Sequence, residues 1–131
     1  MRLIINGAGG RMGQVLLSLT ENSEKYTLAA SCSMEFTTDE AQNIYANINE
    51  FSGEADCIID FSNHLATKDV TAYAVKRNLP LVIATTGQSE EELSMIKKAS
   101  ESIPLFYSQN MSLGVAVLSC LAKITAKAFP D

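Results

Sequence analysis

The chain has 131 residues, 47% hydrophobic and 19% charged, with 10 basic and 15 acidic side chains and a net charge of -5. That length suits one domain around one core, and the hydrophobic content excludes a disordered chain. A pI near 4.8 excludes the clustered basic footprint of a nucleic-acid binder.

No apolar run reaches the roughly 18 residues of a membrane helix, because Lys123 and Lys127 interrupt the most apolar stretch, Leu113 to Phe129. The apolar start, Leu3-Ile4-Ile5, is too short for a signal-peptide core and runs into a glycine loop. No nucleic-acid or membrane partner is expected, and the protein reads as cytoplasmic. Cys32, Cys57 and Cys120 lie far apart in apolar runs with no Cys-x-x-Cys, so buried, reduced thiols are expected. His64 is the sole histidine and no ligand pair is spaced for zinc, so no metal site is expected.

Short apolar runs alternate with helical periodicity along the chain. Leu3-Ile4-Ile5 predicts a buried strand ending at Asn6-Gly7, and Gly10 to about Thr20 a helix with Met12, Leu16 and Leu19 on one face. Tyr26 to Cys32 reads as a second strand, 33–44 as irregular, and Tyr45 to Ile48 as a short third strand. Cys57 to Phe61 is a fourth strand. A helix follows from about Leu65 to Asn78, capped by Ser62 or Asn63, with Val70, Tyr73 and Ala74 inward. Pro80 introduces a fifth strand, Leu81 to Ala84. Ser89 caps a helix whose first turn carries Glu90, Glu91 and Glu92, acids that suit the positive end of a helix dipole. Leu105 to Tyr107 is a sixth strand. A last helix, about Ser112 to Phe129, has Leu113, Val117, Leu121 and Ile124 on one stripe. Continuously apolar strands separated by helices predict a parallel sheet covered on both faces: an α/β, Rossmann-type, doubly wound single domain over 1–131.

The sharpest local signal is Gly7-Ala8-Gly9-Gly10-Arg11-Met12-Gly13, between the first strand and the first helix. Met12 breaks the G-x-G-x-x-G register, whereas Gly7, Gly10 and Gly13 fit G-x-x-G-x-x-G. One glycine permits the tight turn, a second lets a diphosphate approach the backbone, and a third lets helix and strand pack closely. Free N–H groups and the helix dipole then face the phosphates. This predicts binding of a nicotinamide dinucleotide, NADH or NADPH. An acid at the end of the second strand would grip the adenosine ribose, but that strand ends Ser31-Cys32-Ser33-Met34, with Glu35 slightly late. Ser31 and Ser33 with Arg11 could accept a 2′-phosphate, so NADPH is expected to bind at least as well as NADH. The alternative is that Glu35 bonds the ribose hydroxyls.

In open α/β sheets the ligand lies beyond the carboxyl ends of the strands. Here those ends read Asp60-Phe61-Ser62, Ala84-Thr85-Thr86-Gly87 and Tyr107-Ser108-Gln109-Asn110-Met111-Ser112. Their small hydroxyl and amide groups suit a nicotinamide carboxamide and ribose, although Ser62 and Ser112 can equally be helix caps.

These segments together resemble the dihydrodipicolinate reductase family of diaminopimelate and lysine biosynthesis. Gly-x-x-Gly-Arg-Met-Gly stands at Gly7 to Gly13, Asp-Phe-Ser at Asp60 to Ser62, and Asn-Met-Ser-x-Gly-Val at Asn110 to Val115. The family's Gly-Thr-Thr-Gly stands as Ala84-Thr85-Thr86-Gly87. The resemblance covers the whole chain. It implies cofactor contacts at Gly7, Ala8, Gly9, Gly10, Arg11 and Met12, at Ser33 and Phe61, at Ala84, Thr85 and Thr86, and at Ser108, Gln109, Asn110 and Met111. Thr86 would lie near the substrate.

Ser33 and Met34 fall where relatives carry a Glu-Arg pair, and His64 where a proline is common; His64 reads as a surface-loop residue. The family's catalytic Glu-Ala-His-His motif with its lysine and Ser-Gly-Thr follows the final helix and is absent from this sequence. The resemblance therefore implies the cofactor half of a reductase of a cyclic dicarboxylate, with no catalytic residue in this chain, the substrate domain after residue 131, and a homo-oligomeric full-length enzyme. Such a half would bind dinucleotide without turnover. A stand-alone nucleotide-sensing module and the cofactor domain of another amino-acid dehydrogenase remain open alternatives.

Overall fold

Six strands lie in one sheet in the order β3-β2-β1-β4-β5-β6, every neighbouring pair parallel. In the computed structural model, which describes residues 1–109 and 112–128, they are β1 (Arg2–Asn6), β2 (Thr27–Cys32), β3 (Ile44–Tyr45), β4 (Cys57–Asp60), β5 (Leu81–Ile83) and β6 (Leu105–Tyr107). The helices are α1 (Arg11–Glu21), α2 (Thr67–Arg77), α3 (Glu90–Ser100) and α4 (Leu113–Ala128). Strand order reverses between β1 and β4, which opens a crevice at their carboxyl ends. This is the doubly wound arrangement that the alternating pattern predicts.

The central strands supply the core. Ile4, Ile5, Ile58, Leu81 and Ile83 are fully buried, each side chain contributing about 1.5–3 kcal/mol by leaving water. Val70, Tyr73 and Ala74 of α2 pack inward as their spacing predicts, and Tyr73 donates its hydroxyl to the Phe51 carbonyl at 2.7 Å. Asn63 caps the single 3-10 turn His64–Ala66 that leads into α2, accepting from the Leu65 N–H at 3.0 Å. Ser89 and Glu92 form a reciprocal capping box at α3.

Some expected packing differs. α1 does not bury Met12 (49% exposed) or Leu19 (63% exposed); it turns Gly13 and Thr20 inward. The close approach at Gly13 decides this, since a Cβ built there would stand 2.2 Å from the Gly7 carbonyl oxygen. β3 is only Ile44–Tyr45, because Asn47 accepts from the Asn49 N–H and turns Ile48–Glu50 into a 3-10 helix. All of α4 is exposed, including the stripe of Leu113 (80%), Val117, Leu121 (53%) and Ile124. Cys120 is exposed with it, whereas Cys32 is buried and Cys57 partly so; all three are free thiols. Among the described residues no helix is long and apolar enough to cross a membrane.

Candidate functional site

The glycine loop rises from the end of β1 and folds back on the end of β4. Gly7 has φ +84°, and a Cβ there would lie 2.6 Å from the Phe61 carbonyl carbon and the Ser62 nitrogen. Only glycine meets both demands. The loop is tied down by Gly7 and Ala8, whose N–H groups both donate to the Cys32 carbonyl at 2.8 and 2.9 Å. Gln14 Nε2 donates to the Ala8 carbonyl at 2.8 Å. Ala8 is fully buried, so its side chain lies beneath the loop. The Cys32 thiol is buried too, and desolvation pushes it up to about 12, far from a reactive thiolate.

α1 then starts on Gly10 with no side-chain cap and no acid in its first turn. The first N–H groups of a helix have no intrahelical acceptor. Gly10 faces a cavity of about 360 Å³ at the switch point, whose lining includes Gly7, Ser33, Glu35, Phe61 and Ser62. Arg11 and Met12 are exposed beside it.

At the end of β2 the candidates separate. Ser31 is 4% exposed and its hydroxyl donates to the Asn43 carbonyl at 3.1 Å. It is therefore a core group and unavailable to a 2′-phosphate. Ser33 stays at the cavity: a Cβ built on Gly9 would lie 2.7 Å from Ser33 Oγ and 3.2 Å from Glu35 Oε2. Glu35 gets there because the chain turns after Ser33, the Phe36 N–H donating to the Ser33 carbonyl at 3.0 Å. The acid that stands late in sequence thus reaches the glycine loop in space.

Ala84, Thr85 and Thr86 follow β5, and Ser108 and Gln109 follow β6, on the same sheet edge. The Ala84 N–H donates to the Asp60 carbonyl at 2.9 Å and the Ser108 N–H to the Ile83 carbonyl at 3.1 Å. Thr85 is buried and gives its hydroxyl to Asp60 Oδ2 at 2.8 Å, while Thr86 is exposed. Gln109 Nε2 donates to the Tyr107 hydroxyl at 2.7 Å. Asn110 and Met111 lie outside the described residues. His64 Nδ1 lies 3.1 Å from Glu92 Oε1, which joins the loop after β4 to the start of α3. Among the described residues no group of three His, Cys, Asp or Glu side chains could hold a metal ion.

Residues 1–111 match the family model for the N-terminus of dihydrodipicolinate reductase. The 4-hydroxy-tetrahydrodipicolinate reductase of Caldanaerobacter subterraneus subsp. tengcongensis is 44% identical over 128 residues, covering 97% of this chain and 50% of that protein. The one from Clostridium tetani is 33% identical over 132 residues, covering 100% of this chain and 52% of that protein. The chain spans about half the length of the curated relatives it matches. Among solved structures, a dipicolinate-bound dihydrodipicolinate reductase from Paenisporosarcina sp. TG-14 has a TM-score of 0.74 at 21% identity, covering 100% of this chain and 55% of that one. An oxidoreductase from Agrobacterium radiobacter in complex with NAD+, L-tartaric acid and magnesium scores 0.69 at 13% identity, covering 85% of this chain and 36% of that one. Those two likenesses show the Rossmann-type fold. With the family model running from Met1 through the glycine loop and all six strands, the chain belongs to the dihydrodipicolinate reductase family and corresponds to its N-terminal part.

Proposed function

We propose that this chain is the dinucleotide-holding half of an NAD(P)H-dependent reductase whose substrate is a cyclic dicarboxylate of the dipicolinate type. The observation that carries this reading is the unfilled start of α1. It has no cap and no acid, and it faces the switch-point cavity beneath a glycine loop. An anion placed there gains about 0.3–2 kcal/mol from the helix end. The fit is backbone-deep, because at Gly7 and Gly13 a Cβ would collide with main-chain atoms.

When bound, a reduced nicotinamide supplies the hydride. The N–H groups of α1's first turn orient the diphosphate. Ala84, Thr86, Ser108 and Gln109 border the nicotinamide end. Thr86 offers an exposed hydroxyl where cofactor and substrate would meet, and Thr85 contributes through its main chain. Groups that protonate and grip the dicarboxylate belong to the part of the relatives' length that this chain does not span.

At the ribose end, Glu35 beside Gly9 supports NADH over NADPH, because a carboxylate accepts from ribose hydroxyls and repels a 2′-phosphate. This reading takes the Glu35 alternative over the 2′-phosphate pocket of Ser31, Ser33 and Arg11, because Ser31 is buried and bonded to the Asn43 carbonyl. Titrating the chain with both cofactors tests the reading. NADH should bind at least tenfold tighter, about 1.4 kcal/mol, and Glu35→Gln should narrow the gap. NADPH binding as tightly as NADH would overturn the preference, and binding of neither would overturn the function.

A further inference from the structure

We propose that Asp60 is a positioning residue that locks the glycine loop and the loop after β5 into one rigid rim, so that the two ends of the cofactor site move as a unit. The inference rests on the dinucleotide reading above and adds to it the residue that holds the site together.

Asp60 closes β4, the strand at the switch point, and is 1% exposed. A buried carboxyl group is costly unless its oxygens are bonded. Here donors from three strand ends meet it. Oδ1 accepts from Asn6 Nδ2 at 2.8 Å, Ser62 Oγ at 2.5 Å and the Ser62 N–H at 3.3 Å. Oδ2 accepts from Thr85 Oγ1 at 2.8 Å. Asn6 Nδ2 also reaches Ser62 Oγ at 3.1 Å.

Each donor stands at a functional turn. Asn6 precedes Gly7, Ser62 is packed against Gly7, and Thr85 precedes Thr86. The chain of bonds continues outward. Gln88 Nε2 donates to the Thr85 carbonyl at 3.0 Å, Tyr107 donates to Gln88 Oε1 at 3.0 Å, and Gln109 donates to Tyr107 at 2.7 Å. One hydrogen-bonded line therefore crosses the ends of β1, β4, β5 and β6, and Asp60 is the point where it branches to the glycine loop. Such satisfied buried networks rigidify what they connect.

The test removes one link and reads the other end. Thr85→Val keeps the shape of the side chain but takes away the bond to Oδ2; Asp60→Asn alters the hub. Amide exchange is measured on the full chain at the bonded N–H groups of the glycine loop, those of Gly7 and Ala8 to the Cys32 carbonyl and of Gly10 to the Gly7 carbonyl, and at Ile4 and Ile58 in the core. In Thr85→Val, exchange at Gly7, Ala8 and Gly10 should rise at least tenfold while Ile4 and Ile58 stay as in the wild type, and Thr85→Ser should restore most of the lost protection. NADH affinity should fall at least tenfold in both Thr85→Val and Asp60→Asn. Unchanged exchange at Gly7, Ala8 and Gly10 in a folded Thr85→Val chain would overturn the proposal, even if NADH binding weakened. Should the wild-type chain bind no dinucleotide, the functional reading fails, and the exchange measurement still decides whether Asp60 couples the loops.

Discussion

The starts of α1 and α3 lie on the same edge of the same sheet and are finished in opposite ways. α3 is closed by its own residues: the Ser89 N–H donates to Glu92 Oε2 at 2.7 Å, the Glu92 N–H donates to Ser89 Oγ at 3.3 Å, and Glu90 and Glu91 add charge to the first turn. α1 begins on a glycine, with neither cap nor acid. Both helix ends carry the same partial positive charge. A glycine at the cap position gives up only a few tenths of a kcal/mol against a side-chain cap, and it leaves the first N–H groups of α1 open to an acceptor from outside the chain. The contrast points the proposed dinucleotide to the start of α1 more sharply than the glycine spacing does.

The comparison can be broken most severely at Gly13. A Cβ there would stand 2.2 Å from the Gly7 oxygen and 2.6 Å from Ala8 Cα, both main-chain atoms that cannot step aside alone. Gly13→Ala should lose about 1–3 kcal/mol in urea unfolding, as overpacking does, despite alanine's better helix propensity. Unchanged stability would mean that α1 does not lean on the glycine loop as described.

Gly10 separates fold from binding. Its backbone, φ -77° and ψ 166°, accepts any residue, and a Cβ would meet only the Gly7 oxygen, at 3.3 Å. Gly10→Val should therefore still fold, at a cost of about 1 kcal/mol for a β-branched residue at the cap position, yet weaken NADH at least tenfold, about 1.4 kcal/mol. Gly10→Asp would finish α1 in the manner of α3. It should gain a few tenths of a kcal/mol (roughly 0.3) in stability and weaken NADH further than valine does. NADH binding unchanged in Gly10→Asp, read by calorimetry, would remove the start of α1 from the site.

The same contrast explains what sequence could reveal. Ser89 with Glu92 and the buried runs at Ile4, Ile58 and Ile83 are local signals, and each is where its spacing places it; Asn63 caps the 3-10 turn ahead of α2, whose own start at Ala66 has no side-chain cap. The errors fall where partners distant in sequence decide. Ser31 faces inward because the Asn43 carbonyl, set by a left-handed residue at φ 57°, lies over it. Glu35 reaches Gly9 through a turn that strand periodicity does not record. Met12 and Leu19 are shed from the core because Gly13 sets the rotation of α1. The stripe on α4 is visible in the sequence, but periodicity states that a face is apolar, not what covers it. In the sequence Asp60 stands only as part of a motif; its role as a branching acceptor needs Asn6 and Thr85 beside it.

The smallest expected effect concerns acid. The Ser89 N–H foremost, helped by His64 and the Ser89 hydroxyl, holds the Glu92 carboxyl below its ordinary value of 4.5. A carboxylate whose value is lower in the folded than in the unfolded chain gives its full stabilisation above the unfolded value and loses it as pH falls through the folded one. Protection of the first turn of α3 against amide exchange should therefore decline on acidification below the ordinary carboxylate range. The start of α1 has no acid in its first turn to titrate, so its protection should not follow the same curve. Glu92→Gln supplies the control. It should be less protected than the wild type at neutral pH, and the gap should close as Glu92 takes up its proton. A gap of constant size across that range would mean that the box holds α3 by shape and neutral hydrogen bonds. In that case the two helix starts would differ in geometry and not in charge.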